Sequence, residues 1–217
     1  MTGSGICRGL ALLAGVLALL VAGQVSARAP APPGDMSMGN PHAKVVVTEY
    51  ASVACPFCAE FNNTVFPEFK KRYIDTGKVR YVAREALTGN PTLAVSGFLL
   101  ARCAGKGKYF QVTDAIYRAQ DEIYEPGTET MRAGKDREIL LGIAKAAGLN
   151  EDQFTKCISD GQALAALDDR VRRFAERDGV EATPTFLLNG KTLKVGPISM
   201  PELDAAIRPL LAKTRRR

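Results

Sequence analysis

Glu49-Tyr50-Ala51-Ser52-Val53-Ala54-Cys55-Pro56-Phe57-Cys58 is the stretch on which the reading of this 217-residue chain turns. Val45 to Thr48, just before it, is an unbroken β-branched run. Just after it, Cys58, Phe61, Asn62 and Val65 repeat at i, i+3, i+4 and i+7, the spacing of one helix face. Two cysteines two residues apart therefore stand where a strand gives way to a helix.

The reactive species in thiol–disulfide exchange is the thiolate. A helix N-terminus stabilises it with unpaired backbone N–H groups and the positive end of the helix dipole. Cys55 is placed to be the nucleophile. Cys58, one turn further in, can close a disulfide with it or resolve a mixed one. Pro56 suits a first-turn position, where its missing N–H costs nothing. A Cys-x-x-Cys can also be half of a zinc site. Zinc needs a second ligand pair, and Cys103 and Cys157 have no Cys or His beside them, so the pattern favours redox chemistry and names no metal.

With 46% apolar residues the chain can bury one good core, and a single domain with an insert is expected. A net charge of +6 raises the possibility of nucleic-acid binding. The basic residues are scattered among acids, however, and Arg215-Arg216-Arg217 reads as a solvated tail, so no nucleic-acid partner is expected.

Arg8, the uncharged apolar run Leu10 to Ala22 and the small residues Val25-Ser26-Ala27 read as a cleavable secretory signal over 1–27, hence a periplasmic or secreted protein. The run is short for a bilayer span, and an uncleaved anchor is the alternative. Cys7 would leave with the signal, and the four remaining cysteines would lie where disulfides persist. Residues 28–42, rich in Ala, Pro, Gly and Met without periodicity, are expected to be a flexible arm. Such an arm leaves no room for a dimerisation segment, so a monomer is expected.

Val45 to Tyr50 has the character of a strand buried on both faces, which makes Glu49 the odd residue. If it is desolvated, its neutral form is favoured and it can store a proton for Cys58; if the strand end is solvated, it does nothing. Pro67 predicts a kink or restart in the first helix. Gly77 ends that helix, and Val79 to Ala83 is a second strand, parallel to the first because a helix joins them.

From Asn90-Pro91, a cap followed by a first-turn proline, a helical insert is expected over about 91–178. Ala94, Phe98 and Ala101 mark one helix, and Val112, Ile116, Ala119 and Ile123 another. Ile139, Leu140, Ile143 and Ala147 mark a third. Asn150-x-x-Gln153 resembles a capping box, and Leu164, Leu167, Val171 and Phe174 form a last stripe ended by Gly179. All of these read as packing faces. If Cys55 pairs with Cys58, the remaining mature cysteines, Cys103 and Cys157, can pair across 54 positions, worth about 4 kcal/mol in the chain-entropy model. The alternative is two buried thiols.

Phe186-Leu187-Leu188, Asn189-Gly190 and Thr192 to Val195 form the strongest hairpin signal in the chain. Pro184 at its entry can be a simple edge residue, and sequence alone favours a trans bond. Ser199-x-x-Glu202 starts a last amphipathic helix with Leu203, Ile207 and Leu210, followed by a basic tail at 213–217.

The order β, α with Cys-x-x-Cys, β, helical insert, Thr183-Pro184, β-hairpin, α resembles the thioredoxin fold. More closely it resembles the secreted DsbA-like thiol–disulfide oxidoreductases, α/β proteins with a helical insertion between the βαβ and ββα halves. The resemblance covers about residues 43–212. It implies that Cys55 is the exposed nucleophile, Cys58 the buried partner and Glu49 a proton carrier. Pro56, Phe57, Thr183 and a cis Pro184 would hold a substrate strand beside Cys55. It further implies no cofactor, exported unfolded or reduced proteins as substrates, and a membrane quinone-linked thiol oxidase as reoxidant. Phe57 departs from the His found there in strongly oxidising members and supplies neither charge nor donor, so a reductase or isomerase role is the alternative. A non-catalytic metal-binding or interaction module is the alternative from another class.

Overall fold

The computed structural model describes residues 34–215 except 129. The expected signal over 1–27, the start of the expected arm and Arg216-Arg217 lie outside the described residues. The arm needs correction where it is described. Met36–Gly39 forms strand β1, antiparallel to a later strand with Met36 opposite Ala83. Four residues are too few for an alternating pattern to register in the sequence, and their extended form comes from the partner edge that they pair with.

Strand β2, Val45–Ala51, is buried along its whole length. Helix α1 spans Pro56–Glu60. The chain then widens into a π-helical turn over Phe61–Val65, restarts as α2 over Phe66–Phe69 with Pro67 in its first turn, and widens again over Lys70–Ile74. Pro67 cannot donate to the carbonyl four residues back, and its ring crowds that carbonyl, so the helix loosens before it and begins again. Strand β3, Val79–Glu85, runs parallel to β2.

The insert consists of α3 (Pro91–Cys103), α4 (Tyr109–Arg118), α5 (Gln120–Ile123), α6 (Lys135–Ala146), α7 (Glu151–Ser159) and α8 (Gly161–Asp178). Val112 to Ile123, read as one helix, is two, broken at Ala119. Asn90 caps α3, both arms of the Asn150–Gln153 capping box are formed, and Gly179 ends α8 in the left-handed conformation. Cys103 at the end of α3 is bonded to Cys157 on α7, with Cα atoms 5.8 Å apart. That bond ties the first helix of the insert to a late one.

Strands β4 (Thr185–Leu188) and β5 (Lys191–Val195) make the expected hairpin. Its two turn residues, Asn189 and Gly190, have φ of 51° and 82°, the left-handed pair that a two-residue hairpin turn requires. Helix α9, Met200–Arg215, follows, so 213–215 of the expected tail is helical. The sheet order is β1-β3-β2-β4-β5.

Alternation along β2 decides what lies beneath the cysteines. Val45, Val47 and Glu49 point to one face, where Phe61, Phe69, Phe186 and the α9 residues Leu203 and Ile207 pack. Tyr50 points to the other face against Phe174 of α8, where its hydroxyl donates to the Phe174 carbonyl and to Asp178. Central β2, covered on both sides, thus ends directly at the Cys-x-x-Cys turn.

Candidate active site

Cys55 caps α1 in extended conformation (φ −89°, ψ 122°), and its carbonyl accepts the Ala59 N–H at 3.1 Å. The turn leading into it is held from three sides. Locally, the Cys55 N–H donates to the Ser52 carbonyl at 3.0 Å, and Ser52 Oγ donates to Thr88 O at 2.7 Å. From the loop before α3, Gly89 (φ +74°) sits so close that a Cβ there would lie 2.5 Å from the Ala54 carbonyl oxygen. Only glycine fits on both counts. From the insert, Gln120 Nε2 donates to Val53 O at 2.7 Å and Cys55 O at 3.3 Å, and the Tyr124 hydroxyl donates to Ala54 O at 3.0 Å. The Val53 and Ala54 carbonyls are buried acceptors of a tight turn that side chains satisfy, whereas Cys55 O also keeps its helical bond from Ala59.

β4 begins opposite Tyr50, so the residues preceding it come alongside the turn that follows β2. The Thr183-Pro184 bond there is cis, against the trans preference of the bare sequence and as the family resemblance implies. Cys55 Sγ donates to the Thr183 carbonyl at 3.6 Å, and the Thr183 hydroxyl meets that of Thr88. Cys55, Cys58, Thr183 and Pro184 are therefore gathered at one place, as expected. Pro56 and Phe57 lie beside them on a groove of about 660 Å³ shared with Gln120, Tyr124 and Pro126. Phe57 is 54% exposed.

Both thiols are free, and the site splits their acidities. Cys55 is held down to about 6: the hydrogen bond from the Cys58 thiol does most, burial opposes it, and a side-chain hydrogen bond with Thr183 and the backbone N–H groups of Cys58 and Phe57 add to it. The helix terminus thus contributes as expected, but less than the neighbouring thiol. Cys58, with no exposed surface, is pushed well above its ordinary value by burial first and then by Cys55 and Glu49. Cys55 is itself only 6% exposed, which corrects the expectation of an exposed nucleophile. Thr183 contacts its sulfur and Gln120 of the insert its carbonyl.

Glu49 is 3% exposed, so the solvated-end reading fails. Burial raises its pKa to about 8, countered by a hydrogen bond from the Tyr81 hydroxyl and reinforced by Cys55. Among the described residues no three His, Cys, Asp or Glu side chains cluster to hold a metal ion. Sequence reading missed Gln120, Tyr124, Gly89 and Tyr81. Gly89 stands just before the readable Asn90-Pro91 helix start, whereas nothing in the spacing of Gln120 or Tyr124 points to a turn more than sixty residues away.

A family model described as Thioredoxin matches residues 31–208. A relative in Rickettsia bellii, provisionally named protein-disulfide oxidoreductase, is 33% identical over 182 residues, 83% of this chain and 66% of the relative. Disulfide bond formation protein D of Bacillus subtilis is 24% identical over 165 residues, 76% of this chain and 72% of the relative. The crystal structure of Wolbachia pipientis alpha-DsbA1 matches with a TM-score of 0.70 at 26% identity, covering 83% of this chain and 92% of that one. Relative to the Rickettsia proteins the chain spans 54 to 66% of their length.

Proposed function

The chain belongs to the thioredoxin family, among its DsbA-like members, and on that premise we propose that it is an exported oxidase that donates the Cys55–Cys58 disulfide to folding proteins. The observation that carries this reading is the split acidity of the pair. With Cys55 lowered to about 6, its thiolate is both the stable form at neutral pH and the better leaving group.

In the forward reaction a substrate thiolate attacks Cys55 Sγ. The Cys55–Cys58 bond breaks, and Cys58 leaves as a thiolate that takes a proton from Glu49. The second substrate thiolate then attacks the substrate sulfur of the mixed disulfide. A substrate disulfide forms, Cys55 departs as its thiolate, and two electrons remain on the protein. A membrane quinone-linked thiol oxidase would remove them.

The Thr183 carbonyl and the cis Pro184 beside Cys55 suit a substrate strand added by backbone hydrogen bonds. Exposed Phe57 and Pro56 offer an apolar seat next to it. Export rests on the apolar N-terminal run and its small-residue end. Exported unfolded or reduced chains are the partners this implies, and the protein would act on them as a monomer. The Phe57 side chain supplies no donor to the thiolate, which receives only the Phe57 backbone N–H, a feature that favours a reductase or isomerase instead.

Equilibrating Cys55–Cys58 with glutathione decides between the directions. The oxidase reading expects a potential well above that of thioredoxin, about −270 mV. A value at or below it would replace oxidase with reductase.

A further inference from the structure

Basic residues that are scattered along the sequence are gathered by the fold at one end of the sheet. Lys44 and Lys78 immediately precede β2 and β3. Because Val45 pairs with Val79, the two lysines start parallel neighbouring strands side by side. The widened helical turn over Lys70–Ile74 brings Arg72 back to the same end, and the later turns of α9 bring Arg208. With His42 these side chains line an open basin of about 780 Å³ whose lining also includes Leu211 and Ala212. Among the described residues none of its lining side chains is acidic. Both lysines are exposed.

Neighbouring acids offset part of this charge. Arg72 is paired with Glu68 and Asp204, and Arg208 donates to Asp204 at 3.1 Å. Asp75 is engaged by Lys70 at 2.6 Å. The cations Lys44, Arg72, Lys78 and Arg208 against the carboxylates Glu68 and Asp204 leave a net charge of +2, and exposed Lys213 follows Ala212 on α9. We propose that this basin seats the protein on a membrane surface rich in anionic phospholipid, its cations taking the lipid phosphates. Lipid fits better than nucleic acid: Tyr73, the aromatic side chain of the basin, is buried and offers no face for a base to stack on, while Leu211 and Ala212 suit the glycerol end of a headgroup. Export, on which this assignment rests, is what brings the basin to a lipid face.

The basin lies at the opposite end of β2 from the cysteine turn. Lys44 precedes the strand and Cys55 follows it, and seven residues of strand separate them, about 23 Å at the rise of a β-strand. A domain seated on the basin holds Cys55 and Phe57 turned away from the lipid, toward chains that emerge from it. Each basic residue near an anionic surface is worth about fivefold in partitioning, so a few such contacts give a reversible seat that salt loosens.

The test measures sedimentation of the full chain with mixed phosphatidylglycerol–phosphatidylcholine vesicles at low salt, relative to phosphatidylcholine alone. The zwitterionic vesicles report what the apolar run Leu10 to Ala22 contributes, and the ratio of the two partition coefficients isolates the charge. Wild type should favour the anionic vesicles by at least about 25-fold, and in Lys44→Gln/Lys78→Gln the ratio should fall by about 25-fold, two residues at fivefold each. Salt at about 0.5 M should bring wild type down to the same level. Lys106→Gln/Lys145→Gln removes the same charge from exposed positions of the insert and should leave the ratio within about twofold. An equal fall in both double variants would mean that net charge alone drives binding, and that overturns the proposal. So does a wild-type ratio near one, tighter binding to a DNA duplex than to the anionic vesicles at equal salt, or thermal stabilisation by inorganic phosphate without any preference for anionic vesicles. Should the basin variant melt early, Lys78→Gln alone, expected at about fivefold, decides. The glutathione equilibrium of Cys55–Cys58 should be the same in all of these proteins. Loss of redox turnover with lipid binding intact would defeat the thiol–disulfide reading and leave the basin standing.

Discussion

Replacing Glu49 with Gln should stabilise the protein at neutral pH, and the gain can be worked from the burial of the side chain. The folded carboxyl has a pKa of about 8 against an ordinary 4.5, chiefly because burial disfavours its charge. A group whose folded pKa is raised contributes fully below its unfolded value and loses that contribution as pH climbs toward the folded one. At pH 7 the unfolded chain holds Glu49 ionised, and folding must protonate it across 2.5 pH units, from 4.5 to 7. At 1.36 kcal/mol per unit this is a penalty of about 3 kcal/mol. Gln keeps the shape and an oxygen to accept from Tyr81 but carries no such penalty. Chemical denaturation of Glu49→Gln and wild type, both reduced, should give no pH-dependent difference at pH 4.5. The gain should reach about 3 kcal/mol at pH 7, or roughly 6 to 12 °C in melting temperature for a chain of this size, and level off above pH 8. Comparing the two proteins under one redox state cancels the Cys55 titration to first order. A stability difference that is flat from pH 4.5 to 8 would refute the claim that Glu49 is held as a buried neutral acid.

Carbamidomethylation of the reduced protein should modify Cys55 with a pH midpoint near 6, read by mass spectrometry, while buried Cys58 stays unmodified in the native state. Cys58→Ala removes the largest contributor to the Cys55 thiolate and should move that midpoint upward; an unchanged midpoint would return the credit to the helix terminus. Replacing both Cys103 and Cys157 with Ala should lower stability by about 4 kcal/mol, the chain-entropy value for a 54-residue separation. Hydrogen exchange should show α3 and α7 loosening ahead of the sheet.

Signals confined to a few neighbouring residues were legible. Asn90-Pro91, the Asn150–Gln153 capping box, the Asn189-Gly190 turn and the Cys-x-x-Cys junction each satisfy backbone groups within one turn of themselves, so type and spacing suffice to read them. Counting cysteines outside the pair was enough to propose the Cys103–Cys157 bond. Where a residue's state depends on a distant partner, the reading lost its grip. β1 is a strand only because β3 offers it an edge, and the α4–α5 stripe breaks at Ala119.

The chain by itself determined that two sulfurs stand at a strand-to-helix junction, with a helical insert and a Thr-Pro hairpin downstream, because periodicity, caps and turn residues are local chemistry. Tertiary structure alone decided how acidic each sulfur is and where the proton lies. Those quantities come from burial and from contacts between residues far apart in the chain: Cys55 with Thr183, Glu49 with Tyr81, and the Val53 and Ala54 carbonyls with Gln120 and Tyr124. Desolvation and hydrogen bonding act through space, and only strand register and docking of the insert bring those groups within reach.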